Sequence, residues 1–458
     1  MNIKNITKGN EMSFFKLGKT KVPHYKNTAE KPAVRMTNLP ETVLIPMVQH
    51  IGAPAVPKVN VGDKVYVGTL IAEANGAVSA NMHSSVSGTV KKIESYLSSA
   101  GKVCPAIRIE SDGLMTPDPD LKAPEITDFA SLSEAARSAG LVGLGGAGFP
   151  TSVKLSPAVL DKLDTLIING AECEPYITSD TRTMLVDGEY VAKGIERIKS
   201  TSGIKNVIIG VEKNKKNCIE ALGTVLDPSV KIEVLPDKYP QGAEKILIFN
   251  TTERVVPEGK LPSDVGVLVM NVTTVAFLAK YAETGMPLVE KCVTVDGSAV
   301  QNPTNIIVPI GTSISDVLLA VDADIINDAA KVLYGGPMMG VSAYSLDDPI
   351  LKNTNAITAL NEKDAIPKKE TPCIHCGKCA MACPMGLMPT VFAKSMNLDS
   401  PEERAERLIA AKVNLCIECG SCAFVCPAGR HLVENNKLAK AELRSFAQKQ
   451  KEKEDAKK

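Results

Sequence analysis

Two runs of four cysteines near the end of this 458-residue chain constrain it more than any other feature. CIHCGKCAMACP holds Cys373, Cys376, Cys379 and Cys383 ahead of Pro384, and CIECGSCAFVCP holds Cys416, Cys419, Cys422 and Cys426 ahead of Pro427. The spacing C-x2-C-x2-C-x3-C-P lets three thiolates wrap one iron–sulfur cubane. The fourth cysteine, expected to begin a helix running the other way, reaches the second cubane. The pattern therefore predicts two [4Fe–4S] clusters, one on Cys373, Cys376, Cys379 and Cys426, the other on Cys416, Cys419, Cys422 and Cys383. Gly377 and Gly420 allow the tight turn around each cluster. Zinc sites take four ligands, usually in C-x2-C pairs without the x3-C-P step. His375, between two ligands, reads as a neighbour that tunes potential or as a solvated side chain. Two adjacent clusters form a one-electron wire, and a wire needs ends.

The rest of the composition agrees with an intracellular electron carrier. The N-terminal MNIKNITKGNEMSFF has no apolar core followed by a small-residue cleavage site, so no signal peptide is expected. No window of 18 apolar residues is present, which predicts a soluble or peripherally docked protein. Twelve cysteines in that setting read as metal ligands in a reducing cytosol rather than as disulfides. Cys104, Cys173, Cys218 and Cys292, outside the two runs, read as small buried residues. Lys and Arg (52) balance Asp and Glu (52), so no field for nucleic acid is expected. The tail 437–458, with eight Lys/Arg against four Asp/Glu, reads as a charged, solvated helix and a candidate contact for a membrane surface or an acidic partner.

The expected fold is multidomain, α/β plus β. Residues 1–40 form a polar, irregular extension. Residues 41–125 show short β-type runs with glycine punctuation, such as KVNVGDKVYVGTLIAEA and SSVSGTVKKI, with turns at Val61-Gly62-Asp63 and Ser87-Gly88. Two such halves suggest a β-rich barrel-sandwich. From 126 to 290 strand and helix patterns alternate, the first helix entered through the serines of SLSEAARSAG; this is the signature of an open α/β layer. Residues 291–345 read as a β-grasp-like insert, with a capped helix in GTSISDVLLAV. The cluster-binding segment, 360–436, reads as helices between cysteine motifs.

The α/β layer carries a candidate second redox site. In GLGGAGFPTSVKL, Gly143, Gly145, Gly146 and Gly148 let backbone N–H groups approach a phosphate at a helix start, and Lys154 follows within about two turns. The loop lacks GK[ST] and is not a Walker loop; a tight helix–sheet turn is the other reading. NGAECEPYITSD follows a buried strand and gathers Asn169, Glu172 and Glu174 where an α/β sheet places a ligand.

These two segments resemble the paired motif of the flavin subunit of bacterial complex I, GRGGAGFPTGLK and NADESEP, in the same order. YPQGAEK from Tyr239 and MNVTTV from Met270 are similar to that family's YxxGEET and NNVETL. The resemblance implies FMN at Gly143, Gly145, Gly146, Lys154, Asn169 and Asn271. It implies NAD(H) at Phe149, Glu174 and Glu244, with Glu172 in the cofactor-binding acidic loop. Leu144 stands where that family has arginine, Ala171 where it has aspartate, and Ala243 where it has the first glutamate. An aromatic expected after the lysine is missing near Pro157. Over nearly the whole chain, the domain order resembles the RnfC subunit of the Rnf electron-transport complex, as does QHIGAPAVPKVNVGDKVYVGTLI, and the resemblance implies that the β-grasp-like insert with VTVDGSAVQNP is a ligand-binding insert. The N-terminal domain is also similar to lipoyl domains, but ANGAVSANMHSSVSG contains no lysine for a swinging arm.

The resemblance implies an oxidoreductase component peripheral to the cytoplasmic face of the bacterial membrane. Its partners would be membrane-embedded and iron–sulfur subunits, NAD(H) and, indirectly, ferredoxin. Two other readings stay open: a cobalamin reductase of bacterial microcompartments with the same cofactors, and a flavin-free ferredoxin-like adaptor.

Overall fold

The computed structural model describes residues 20–321 and 329–455. In the N-terminal β domain, strands Thr42–Pro46, Val103–Ser111, Gly88–Leu97 and Lys64–Val65 form one sheet, and Val56–Pro57, Leu70–Glu73 and Met82–His83 a second. Alternation along the strands points Val43, Ile45, Ile107 and Ile109 into a core shared with Ile71 and Met82. Gly62 turns the chain with φ +97 as expected, but Gly88 does not. It opens a long strand, where a Cβ would lie 1.9 Å from the Glu110 carbonyl oxygen, so close strand approach is what requires glycine there.

The α/β domain holds a parallel sheet in the spatial order Val230–Leu235, Asn206–Glu212, Thr165–Asn169, Val267–Asn271. Leu166, Ile167 and Ile168 in succession are buried, because helices cover both faces of a parallel sheet. Asp128, not a serine, caps the first helix, Phe129–Ser138: it accepts from Ser131 N at 2.8 Å while Ser131 Oγ accepts from Asp128 N at 3.0 Å. Strand order reverses between Thr165–Asn169 and Val267–Asn271. Their last residues, Asn169 and Asn271, are paired partners at the carboxyl edge, the place where such sheets bind ligands.

The insert is larger than 291–345. Its strands Glu290–Asp296 and Thr304–Pro309 form an antiparallel hairpin, followed by helix Ile314–Val321 and strands Lys331–Tyr334 and Val341–Ser342. The helix begins at Ser313, whose hydroxyl accepts from Asp316 N at 3.0 Å. The sheet is completed by Ala356–Leu360, which returns to the middle parallel to Glu290–Asp296. This is the grasp topology, and without its central strand the sheet would fall into two halves. A sixth strand, Val34–Arg35, covers the open edge of Thr304–Pro309. In the described part of the extension only Thr20 and Val34–Arg35 pair with other segments, and the rest is turn and coil; residues 1–19 lie outside the described residues.

In the C-terminal domain, helices Pro389–Ser395, Pro401–Ala410 and Leu432–Asp455 pack around Leu387, Phe392, Leu408, Ala439 and Leu443. The boundary at 437 therefore cuts a continuous helix, and the first turns of the charged tail are packed, because Ala439 and Leu443 face this core. Residues 456–458 lie outside the described residues.

Candidate electron-transfer site

The glycine loop lies over the switch point of the parallel sheet. Gly143 N donates to Phe149 O at 2.8 Å, closing the loop, while Gly145, Gly146 and Ala147 stay exposed. A Cβ at Gly145 would lie 2.9 Å from the Asn271 amide nitrogen, so only glycine leaves this cradle open. Leu144, where the related family has arginine, turns inward and is buried in the α/β core. Asn271 caps helix Val272–Thr284 through Thr274 N at 3.2 Å and donates to Asp180 Oδ2 at 2.8 Å. Asp180 also accepts from Thr273 Oγ1 at 2.6 Å, and burial beside the Glu172 carboxylate pushes its pKa above the usual range. Sequence reasoning misses Asp180, although it is the acid in the first turn of helix Ser179–Val186. Asn169 donates to Gly242 O at 2.9 Å and accepts from Ala171 N at 3.1 Å, joining the acidic loop to the Tyr239–Glu244 segment. The cradle thus brings together Gly143, Gly145, Gly146, Asn169 and Asn271, and its bare backbone fits a phosphate-bearing flavin.

Four expected ligands have partners within the protein. Lys154 and Glu244, assigned to FMN and to NAD(H), form an ion pair at 2.8 Å, and Lys154 also donates to Val269 O at 3.0 Å. Glu172 is not free for a cofactor. Its carboxylate accepts from Asp180 N at 2.7 Å and Thr181 Oγ1 at 2.7 Å, holding the unpaired start of helix Ser179–Val186, with Lys215 at 3.8 Å. Glu174 accepts from Met338 N at 2.6 Å and Met339 N at 3.0 Å, so it faces the insert's Gly336–Met339 loop, and burial raises its pKa. Phe149 is half-buried beside the cradle.

The eight cysteines sort into two cavities. One is lined by Cys383 with Cys416, Cys419 and Cys422; the other by Cys426 with Cys373, Cys376 and Cys379. Among the described residues no three His, Cys, Asp or Glu side chains converge tightly enough for a single ion, and each thiol set rings a space instead. The ligand loops repeat one backbone form: His375 and Glu418 both have φ +56, and Gly377 and Gly420 follow at +73 and +76. His375 N and Glu418 N each donate to the preceding cysteine sulfur at 3.4 Å, while the His375 side chain is exposed. The fourth cysteine does not begin a helix. Short helices Lys378–Met381 and Ser421–Phe424 hold the third cysteines, and Cys383 and Cys426 follow their ends, because each proline stops the chain from continuing helical. Burial pushes the Cys383 thiol up to about 11 and also raises Cys419 and Cys422, so metal charge is needed to hold them as thiolates. Burial likewise raises the thiols of Cys104, Cys173, Cys218 and Cys292.

The flavin motif and one cysteine set meet directly. Tyr239 Oη donates to Cys419 O at 2.7 Å. Tyr239, Cys173, Cys419 and Val22 pack in one buried cluster, with Met338 and Ile417 against it. The loops after Asn169 and at Tyr239, the insert loop and the second ligand loop therefore share one junction.

Comparison with known proteins agrees with this division. Residues 15–114 match an RnfC barrel sandwich hybrid domain, 136–280 a Nuo51 FMN-binding domain, and 372–430 a 4Fe-4S dicluster domain. The C subunit of a proton-translocating ferredoxin:NAD(+) oxidoreductase complex from Clostridium ljungdahlii is 41% identical over 83% of this chain and 84% of its own. Its Na(+)-translocating counterpart from Acetobacterium woodii is 41% identical over 81% of this chain and 85% of its own. The C subunit of an ion-translocating oxidoreductase complex from Rhodobacter capsulatus is 37% identical over 80% and 72%. With these identities sustained over most of both chains, the chain belongs to the RnfC family of the ion-translocating Rnf complexes.

Proposed function

We propose that this chain passes electrons between NAD(H), FMN and two [4Fe–4S] clusters as a peripheral component of an ion-translocating ferredoxin:NAD+ oxidoreductase. Its partners are membrane-embedded and iron–sulfur subunits at the cytoplasmic face, and ferredoxin is served indirectly. Among the described residues no helix is long and apolar enough to cross a membrane, and ion movement is assigned to the partner subunits. A bound flavin supplies exchange between two-electron hydride transfer and the single electrons that clusters carry.

The chain's own residues divide the work. Backbone at Gly143, Gly145 and Gly146 receives the flavin phosphate, with Lys154 contributing charge nearby. Asn169 and Asn271 present amides at the sheet edge, and Asp180 holds Asn271 in place. Phe149 and Glu244 border the nucleotide side, whereas Glu174 is assigned to the junction rather than to NAD(H). Cys383, Cys416, Cys419 and Cys422 hold the inner cluster; Cys373, Cys376, Cys379 and Cys426 hold the outer one.

The observation that carries this reading is the Tyr239–Cys419 contact at 2.7 Å, which joins the flavin motif to the inner cysteine set. The outer set opens to the surface, where Cys376 is exposed and Ile374 and Met381 are 66% and 64% exposed, a suitable face for a redox partner. Purified chain carrying both clusters should release FMN on denaturation, and NADH should bleach its cluster absorbance. Fully clustered protein without flavin would overturn the reading.

A further inference from the structure

The segment before the first β domain crosses the flavin-motif loops as a strap. Thr20 and Tyr239 exchange both backbone hydrogen bonds at 2.8 Å. Tyr25 stacks on Tyr176 with ring centroids 4.9 Å apart, and Tyr176 N donates to His24 O at 2.9 Å. The Thr28 and Thr178 hydroxyls are in contact, and the strap ends in the sheet strand Val34–Arg35.

Lys26 is the central contact of this strap. The residue is half-buried, and its ammonium donates to three carbonyls: Glu172 O at 2.8 Å, Glu174 O at 2.7 Å and Ile177 O at 2.6 Å. Three carbonyl dipoles converging on one point repel one another unless a cation lies between them. An ammonium has three donors and no acceptor, which matches the three oxygens. Desolvation, aided by Lys215, lowers the Lys26 pKa to about 8. The gripped segment is the middle of the loop that starts at Asn169 and leads to Asp180. Those residues are the two ends of the cradle: Asn169 reaches Gly242, and Asp180 holds Asn271.

We propose that Lys26 is a positioning residue of the flavin site, using its three hydrogen bonds to fix the acidic loop between Asn169 and Asp180. This rests on the flavin reading above, and it makes the strap part of the cofactor site rather than a leader to the β domain. The number of donors, not side-chain bulk, is what counts. Lys26→Gln keeps two N–H donors, and Lys26→Met keeps none.

The test is FMN affinity of the full chain with both clusters in place, read by flavin fluorescence, with cluster EPR recorded on the same samples. Lys26→Met should weaken FMN binding by about tenfold or more, as expected for losing hydrogen bonds from a charged donor. Lys26→Gln should fall between Met and wild type, and both cluster signals should persist. Wild-type affinity in the Met variant would overturn the proposal. Equal weakening by Met and Gln would overturn it as well, since donor count would then not matter. Loss of clusters together with flavin in both variants would assign Lys26 to the general fold instead. Wild-type chain that binds no FMN would remove the flavin reading itself, and this proposal with it.

Discussion

Cys376 and Cys419 occupy the same place in two copies of one motif, yet Cys376 is exposed and Cys419 is buried. The backbones around them are nearly the same, down to the positive φ of the residues on either side. What differs is what packs against the loop. A Cβ at Gly420 would lie 2.6 Å from Met338 O, whereas one at Gly377 would meet nothing within 4 Å. Ile417 packs into the junction with Tyr239, while its counterpart Ile374 is 66% exposed. The motif thus encodes the shape of a ligand loop, and tertiary docking decides which copy faces the flavin domain and which faces outward.

The largest expected effect tests the division of the cysteines. Cys383→Ser should remove the EPR signal of the inner cluster and leave the outer one, although Cys383 belongs by sequence to the outer motif. Loss of the outer signal instead would show that Cys383 ligates the cluster of its own motif.

The paired glycines come next. Both have left-handed φ, so alanine at either costs about 1–2 kcal/mol. Gly420→Ala must also displace the Met338 carbonyl, which adds about 1–3 kcal/mol. Chemical denaturation should therefore show Gly420→Ala as clearly the more damaging, and equal losses would mean that docking does not distinguish the loops.

Tyr239→Phe removes a buried hydrogen bond to Cys419 O and leaves that acceptor unpaired, a cost of about 1–3 kcal/mol. NADH-driven reduction of the inner cluster should slow in this variant while the outer cluster's EPR line shape stays unchanged.

The smallest effect is expected outside. Ile374→Ser and Met381→Gln should stay within about 0.5 kcal/mol of wild-type stability, because these side chains are exposed. The same variants should slow electron exchange with the partner subunits of a reconstituted complex, measured by stopped-flow spectroscopy.

Much of this was legible because it rests on local pattern. Apolar runs such as Leu166 to Ile168 announce buried parallel strands, and the cysteine spacing specifies its ligand loops. Direction was not legible. Glu172 and Glu174 stand two apart in one loop, and spacing there does not reveal that one caps a helix while the other bonds to the Met338 and Met339 backbone. Lys26 looks like any polar residue of a solvated extension, since its three partners are backbone carbonyls about 150 positions away, with no sequence signature. Ala356–Leu360 is a fully buried strand of only five residues, and its partner strand Glu290–Asp296 lies far back in the chain. Long-range pairing of this kind leaves no periodic trace in the segment between.

Along the proposed electron path, the Cys383, Cys416, Cys419 and Cys422 site lies inside and the Cys376 site outside. Freeze-quench EPR after mixing NADH with FMN-loaded Cys376→Ser and Cys416→Ser variants reads this order. The inner cluster of Cys376→Ser should be reduced at close to the wild-type rate, and the outer cluster of Cys416→Ser should stay oxidised on that timescale. Outer-cluster reduction at the wild-type rate in Cys416→Ser would contradict it.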